Sequence, residues 1–204
     1  MDNSVNNRVY PQKADFTFYG GIYRDVLLRI VPKEHFELDY YGGEGVKITP
    51  TVEGKDGVVR VESYHHTDDA QVTVTLLDAD GKEAAKGTGT DILLRIPGVH
   101  LWDGVEDPYM YTASVTLQRG EQILDKVCIP FGVRTFKVDP KKGFFLNGRP
   151  YPLHGVSKHQ DRKGIGNALT KEHHREDMEL IREIGANTIR LAHYQHDQYF
   201  YDLC

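Results

Sequence analysis

Six of the ten histidines of this chain lie after residue 150, at His154, His159, His173, His174, His193 and His196. His159 follows the short run His154-Gly155-Val156-Ser157, and His193 follows Ala186-Asn187-Thr188-Ile189-Arg190-Leu191. Both runs have the look of buried strands joined through a helix. Parallel pairing would put both imidazoles at C-terminal strand ends, the rim at which barrels and open α/β sheets bind ligands. Imidazoles converging there can donate hydrogen bonds to sugar hydroxyls or hold a metal. The plainer alternative is two loop histidines satisfied by nearby backbone. Asp161 stands close enough in sequence to join them. Arg190 places a charge inside an apolar strand, which is costly unless it meets carboxylates. It is therefore expected to face an acidic site; the alternative is an edge position with a wet side.

The remaining reactive side chains are less suggestive. His173 and His174 fall on a predicted helix, where adjacent positions point apart, and both are expected at the surface. His65 and His66, beside Thr67-Asp68-Asp69, are expected to be solvated. Trp102 and Cys128 read as core, and Arg24-Asp25 as a structural pair. Asp15, before the aromatic run Phe16-Thr17-Phe18-Tyr19, carries little by itself. The chain has no nucleophile elbow, phosphate-binding glycine loop or dinucleotide fingerprint.

Three kinds of element must position these residues. Ile22-Tyr23-Arg24-Asp25-Val26-Leu27-Leu28-Arg29-Ile30 is aliphatic, ends before Pro32 and predicts a strand. From Val46 to Val133 the pattern has period 2: 46–52, 59–64, 71–76, 91–96, 111–117 and 124–133, with turn signals at Asp56-Gly57, Asp80-Gly81 and Arg119-Gly120. About seven short strands in roughly 100 residues predict an immunoglobulin-like sandwich. After Asp139 the pattern changes. Phe144-Phe145-Leu146, Asn147-Gly148 and Arg149-Pro150 predict a small hairpin. Thr170 is a natural N-cap for a helix running to about Ile184, with Leu169, Met178, Ile181 and Ile184 as its apolar face and Gly185 as its stop. The fold class expected is mainly β: an immunoglobulin-like sandwich followed by an incomplete α/β segment. Two parallel strands do not make a stable sheet alone, so the chain is expected to be truncated.

Composition excludes several classes. The 204 residues are 39% hydrophobic and 27% charged, with a net charge of −5. That apolar content builds a core, and the acidic balance argues against nucleic-acid or anionic-membrane binding. Two cysteines cannot form a disulfide framework or a four-cysteine zinc site. No apolar run reaches the ~18 residues of a membrane span, and no signal peptide follows Met1.

Together these segments resemble glycoside hydrolase family 2, the β-galactosidase and β-glucuronidase group. The resemblance rests on Gly21-Ile22-Tyr23-Arg24-Asp25-Val26, on Leu101-Trp102 with Asp107-Pro108-Tyr109-Met110-Tyr111, and on Phe131-Gly132-Val133-Arg134. It rests most strongly on Phe145-Leu146-Asn147-Gly148-Arg149-Pro150 running into His154-Gly155-Val156-Ser157-Lys158-His159, and on Asn187-Thr188-Ile189-Arg190-Leu191-Ala192-His193-Tyr194. Leu191 and Gln195 depart from the family pattern, which usually has a small residue and a proline there. The resemblance implies the end of a jelly-roll domain over 1–31, a sandwich over 32–138 and the first units of a TIM barrel over 139–204. It implies that His159 and His193 line a sugar pocket, that Arg190 lies near the catalytic carboxylates, and that Asp15 reaches into the pocket. The family's catalytic pair is two glutamates, one in an Asn-Glu dipeptide, which this sequence lacks. The last glutamates, Glu172, Glu176, Glu179 and Glu183, fall on the predicted helix.

The expectation is therefore a piece of a retaining glycosidase acting on β-galactosides or related β-glycosides, without catalytic residues of its own and inactive alone. The rival class is a non-catalytic sandwich that binds glycans or other subunits. The chain itself is expected to need no cofactor, while family members draw on sodium or magnesium. The partners expected are a carbohydrate and further copies of the chain, without nucleic acid or membrane, in the cytoplasm or periplasm.

Overall fold

A computed structural model describes Ser4, Arg8 and residues 17–204. Asp15 lies outside the described residues. The chain divides into two compact units, one of Arg29–Pro152 and one of Leu153–Cys204 with the segment up to Leu28.

The first unit is an immunoglobulin-like sandwich. One sheet contains β1 (Val46–Glu53), β2 (Asp56–Ser63) and β5 (Asp91–Ile96), in the order β1-β2-β5. The other contains β3 (Gln71–Leu77), β4 (Glu83–Thr88), β6 (Tyr111–Arg119) and β7 (Gln122–Phe131), in the order β4-β3-β6-β7. All pairings are antiparallel. Alternation sends every second residue inward, so Val59, Val61, Val74, Leu76, Val115 and Leu117 are fully buried between the sheets. The first hairpin turns at Gly54-Lys55, because Glu53 pairs with Asp56; the Asp56-Gly57 signal marks the start of β2 instead. β4 carried no sequence signal, since Ala84, Ala85, Lys86 and Gly87 are poor strand formers. The expectation that Cys128 is core is corrected. It pairs with Ser114 on the outward phase of β7 and is exposed, while Leu124 and Phe131 point inward.

A three-stranded meander completes this unit: β8 (Phe136–Asp139), β9 (Gly143–Leu146) and β10 (Arg149–Pro150). Asn147-Gly148 forms its tight turn with φ of 51° and 80°, the left-handed pair a two-residue hairpin requires. Asn147 also bridges outward. Its Nδ2 donates to the Trp102 carbonyl and to Asp103 Oδ1, both at 3.0 Å, and its Oδ1 accepts from the Thr135 N–H at 3.0 Å. Trp102 is half-buried, with the Arg134 guanidinium 4.6 Å above its ring.

The second unit holds a parallel pair, β11 (Gly155–Lys158) and β12 (Thr188–Leu191), joined through α1 (Lys171–Glu183) and followed by α2 (Gln198–Leu203). Thr170 caps α1, and His173 Nδ1 accepts from the Thr170 N–H at 3.0 Å. This is the role a glutamate usually fills in a capping box. Gly185 closes the helix at φ 72°, as its place after Ile184 predicts. The run 22–30 forms no strand. Ile22, Val26, Leu27, Leu28 and Ile30 are 72–89% exposed, because no neighbouring edge among the described residues offers the hydrogen bonds a strand needs. Among the described residues, no helix is long and apolar enough to cross a membrane.

Candidate active-site rim

The register of the parallel pair sets the site. Gly155 lies opposite Thr188, and Ser157 opposite Arg190. A Cβ on Gly155 would lie 2.3 Å from both Thr188 Cγ2 and the Thr188 carbonyl oxygen, so only glycine permits this approach. The pair therefore ends level, with His159 one residue past β11 and His193 two past β12. Their rings meet edge to face, with centroids 5.4 Å apart at 84°.

Arg190 is exposed and turns toward this corner. Its Nη2 contacts His193 Nδ1 at 2.8 Å and its Nη1 donates to Ser157 Oγ at 3.3 Å. Arginine only donates, so Nδ1 of His193 is the acceptor in this contact. Among the described residues no carboxylate forms an ion pair with Arg190. Its neighbours here are a hydroxyl and an imidazole.

Sequence reasoning singled out His159, His193 and Arg190 but missed the residues beneath them. Gln160 is 2% exposed. Its backbone N–H donates to the Tyr194 hydroxyl at 2.9 Å, and its Oε1 accepts from the Asp197 N–H at 2.5 Å. Burial pushes the Tyr194 phenol above its ordinary range, which keeps it neutral. Arg24, expected to pair with Asp25, instead donates to the Gln195 carbonyl at 2.5 Å. Lys158 lies with its ammonium 2.9 Å from Asp177 of α1 and 5.0 Å from the centre of the Phe200 ring. Asp161 forms none of the resolved hydrogen bonds of this corner.

His174 corrects its surface expectation. It is 1% exposed, packed against Tyr199 and Phe200 of α2, the second helix expected between Tyr194 and Cys204. His196 is 3% exposed and packs on the same Phe200 ring, with centroids 5.9 Å apart. Neither ring nitrogen of His174 has a hydrogen-bond partner among the described residues, and at His196 a backbone hydrogen bond with Ala192 only partly offsets burial. Burial lowers the pKa of both, that of His196 to about 4, with the Lys158 charge adding to the effect. Both are neutral near pH 7. The four late glutamates lie on α1 and are exposed, with Glu176 ion-paired to Arg162 at 2.6 Å.

Known proteins are similar to this chain in sequence and fold. The family model described as "Glycosyl hydrolases family 2" matches residues 44–134, and its TIM barrel domain model matches residues 136–204. The crystal structure of an FMN-binding beta-glucuronidase from Facaelibacterium prausnitzii L2-6 superposes with a TM-score of 0.91 at 42% identity, covering 99% of this chain and 32% of that one. A beta-glucuronidase of Bacteroides fragilis is 40% identical over 99% of this chain and 31% of its own length. The Bacteroides ovatus beta-galactosidase BoGH2A is 31% identical over 90% of this chain and 23% of its own length. The chain thus spans about a third or less of the relatives it matches. On the sandwich, the opening barrel strands and these two family matches, the chain belongs to glycosyl hydrolases family 2.

Proposed function

We propose that this chain forms part of a retaining β-glycosidase whose substrate is a β-glucuronide, and that its own contribution is sugar binding. The observation that carries the reading is the edge-to-face meeting of His159 and His193 at the ends of β11 and β12, on the rim where barrels bind substrate. His193, whose Nδ1 lies 2.8 Å from Arg190 Nη2, is the imidazole assigned to a sugar oxygen. Arg190 keeps a fixed positive charge beside the ring. Such contacts favour catalysis to the extent that they strengthen as the sugar flattens toward its oxocarbenium-like state. For Asp15, which lies outside the described residues, a place in the same pocket rests on the family resemblance alone.

A glucuronide is favoured over a galactoside by the two relatives with 40% and 42% identity, both beta-glucuronidases. The beta-galactosidase relative, at 31%, supports the second reading. Hydrolysis with retention needs two carboxyl groups about 5–5.5 Å apart across the scissile bond. The glutamates near the rim in sequence all project from α1, so this chain alone leaves glycosides intact. Incubation with aryl β-glucuronide and aryl β-galactoside tests both parts. No turnover is expected of the 204-residue chain. Turnover abolished by Glu176→Gln or another α1 substitution would overturn the assignment.

A further inference from the structure

We propose that Gln160 is the positioning residue that sets the spacing of His159 and His193. The proposal rests on the sugar-binding reading of those histidines and names what holds them. Gln160 follows His159 directly and is 2% exposed. It bonds twice to the segment after β12: its N–H to the Tyr194 hydroxyl (2.9 Å), its Oε1 from the Asp197 N–H (2.5 Å). These bonds span 34 and 37 residues of sequence and both reach the segment just after His193. The backbone bonds of the parallel pair reach only to Ala192, whose N–H donates to the Lys158 carbonyl at 2.9 Å. Beyond that point Gln160 links the two loops directly. Asp197 is the N-cap of α2 and accepts from the Tyr199 N–H at 2.9 Å, so the same amide also fixes where α2 starts. A buried residue that ties the loop after β11 to the segment after β12 through one backbone and one side-chain bond orients the groups that precede those bonds.

The test is nuclear magnetic resonance of the 204-residue chain with histidine-labelled rings. The wild type should show a His159–His193 ring cross-peak, and D-glucuronic acid should shift both rings. Gln160→Met removes the acceptor at similar volume. It should abolish the cross-peak and weaken the glucuronic acid response about tenfold, while the amide signals of α1 persist. Gln160→Glu keeps an acceptor for the Asp197 N–H and should retain the cross-peak, a rescue that mere loss of packing would not give. If Gln160→Met unfolds the unit, Tyr194→Phe removes the other bond alone and should weaken the cross-peak in a folded chain. An unchanged cross-peak in Gln160→Met or in a folded Tyr194→Phe, or its loss in Gln160→Glu, overturns the proposal. A normal cross-peak in the wild type with no glucuronic acid response would count against the sugar reading and leave the positioning role to be judged by the variants.

Discussion

Lowering the pH should loosen the packing of α1 and α2, and the size of the effect follows from His196. A histidine in an unfolded chain titrates near 6.5; in the folded unit His196 titrates at about 4. Between these values the unfolded chain takes up a proton that the folded chain refuses. Stability is therefore complete above about pH 6.5 and is lost as the pH falls toward 4. A gap of about 2.5 pH units corresponds to roughly 3 kcal/mol in full, of which about 2 kcal/mol is lost by pH 5. His174 adds in the same direction. The surrounding charges agree for His196: Lys158 and Arg24 oppose protonation, as does His174 once charged. For His174, Asp197 and Asp177 partly offset Lys158 and His173. The assay is urea unfolding followed by the amide signals of residues 171–203 at pH 7.5 and pH 5.0, with His196→Leu as the control. Most of the loss should vanish in the control. Equal stability at the two pH values, or a loss undiminished in His196→Leu, would refute the reasoning.

Other substitutions test the scaffold. Gly155→Ala drives a methyl into Thr188 and should cost about 2 kcal/mol or more, read as faster amide exchange in β11 and β12 with the sandwich unchanged. Asn147→Gly keeps the left-handed turn but removes three side-chain bonds. Urea unfolding of the sandwich unit should shift by about 2–3 kcal/mol. Leu76→Ala, at a fully buried position, should destabilise the sandwich by about 2–5 kcal/mol, measured by Trp102 fluorescence. The exposed run Ile22, Val26, Leu27, Leu28 and Ile30 favours self-association; sedimentation should show oligomers that Leu28→Lys with Ile30→Lys reduces.

Where a residue's role depends on neighbours close in sequence, the sequence showed it. Period-2 alternation marked β1, β2, β3, β5, β6 and β7 because one face of each is buried. Thr170 and Gly185 marked both ends of α1 because capping is local. The meeting of His159 and His193 was legible because two parallel strands that end level must bring their next residues together. Roles set by distant partners stayed hidden. His174 is buried by α2, a helix the sequence indicated but whose packing against α1 it did not. Gln160 looks like any loop glutamine until Asp197, 37 residues on, is seen to bond to it. The strand expected at 22–30 has the right residues, but a strand also needs a neighbouring edge.

The central claim is that the corner of His159, His193 and Arg190 binds a β-glucuronide's sugar, and ring-resolved titration of the 204-residue chain tests it most directly. D-glucuronic acid at millimolar concentration should shift the His159 and His193 ring signals and the Arg190 guanidinium, more than galactose does, with the sandwich signals still. Shifts confined to the sandwich, or none at the three rim residues, would contradict it.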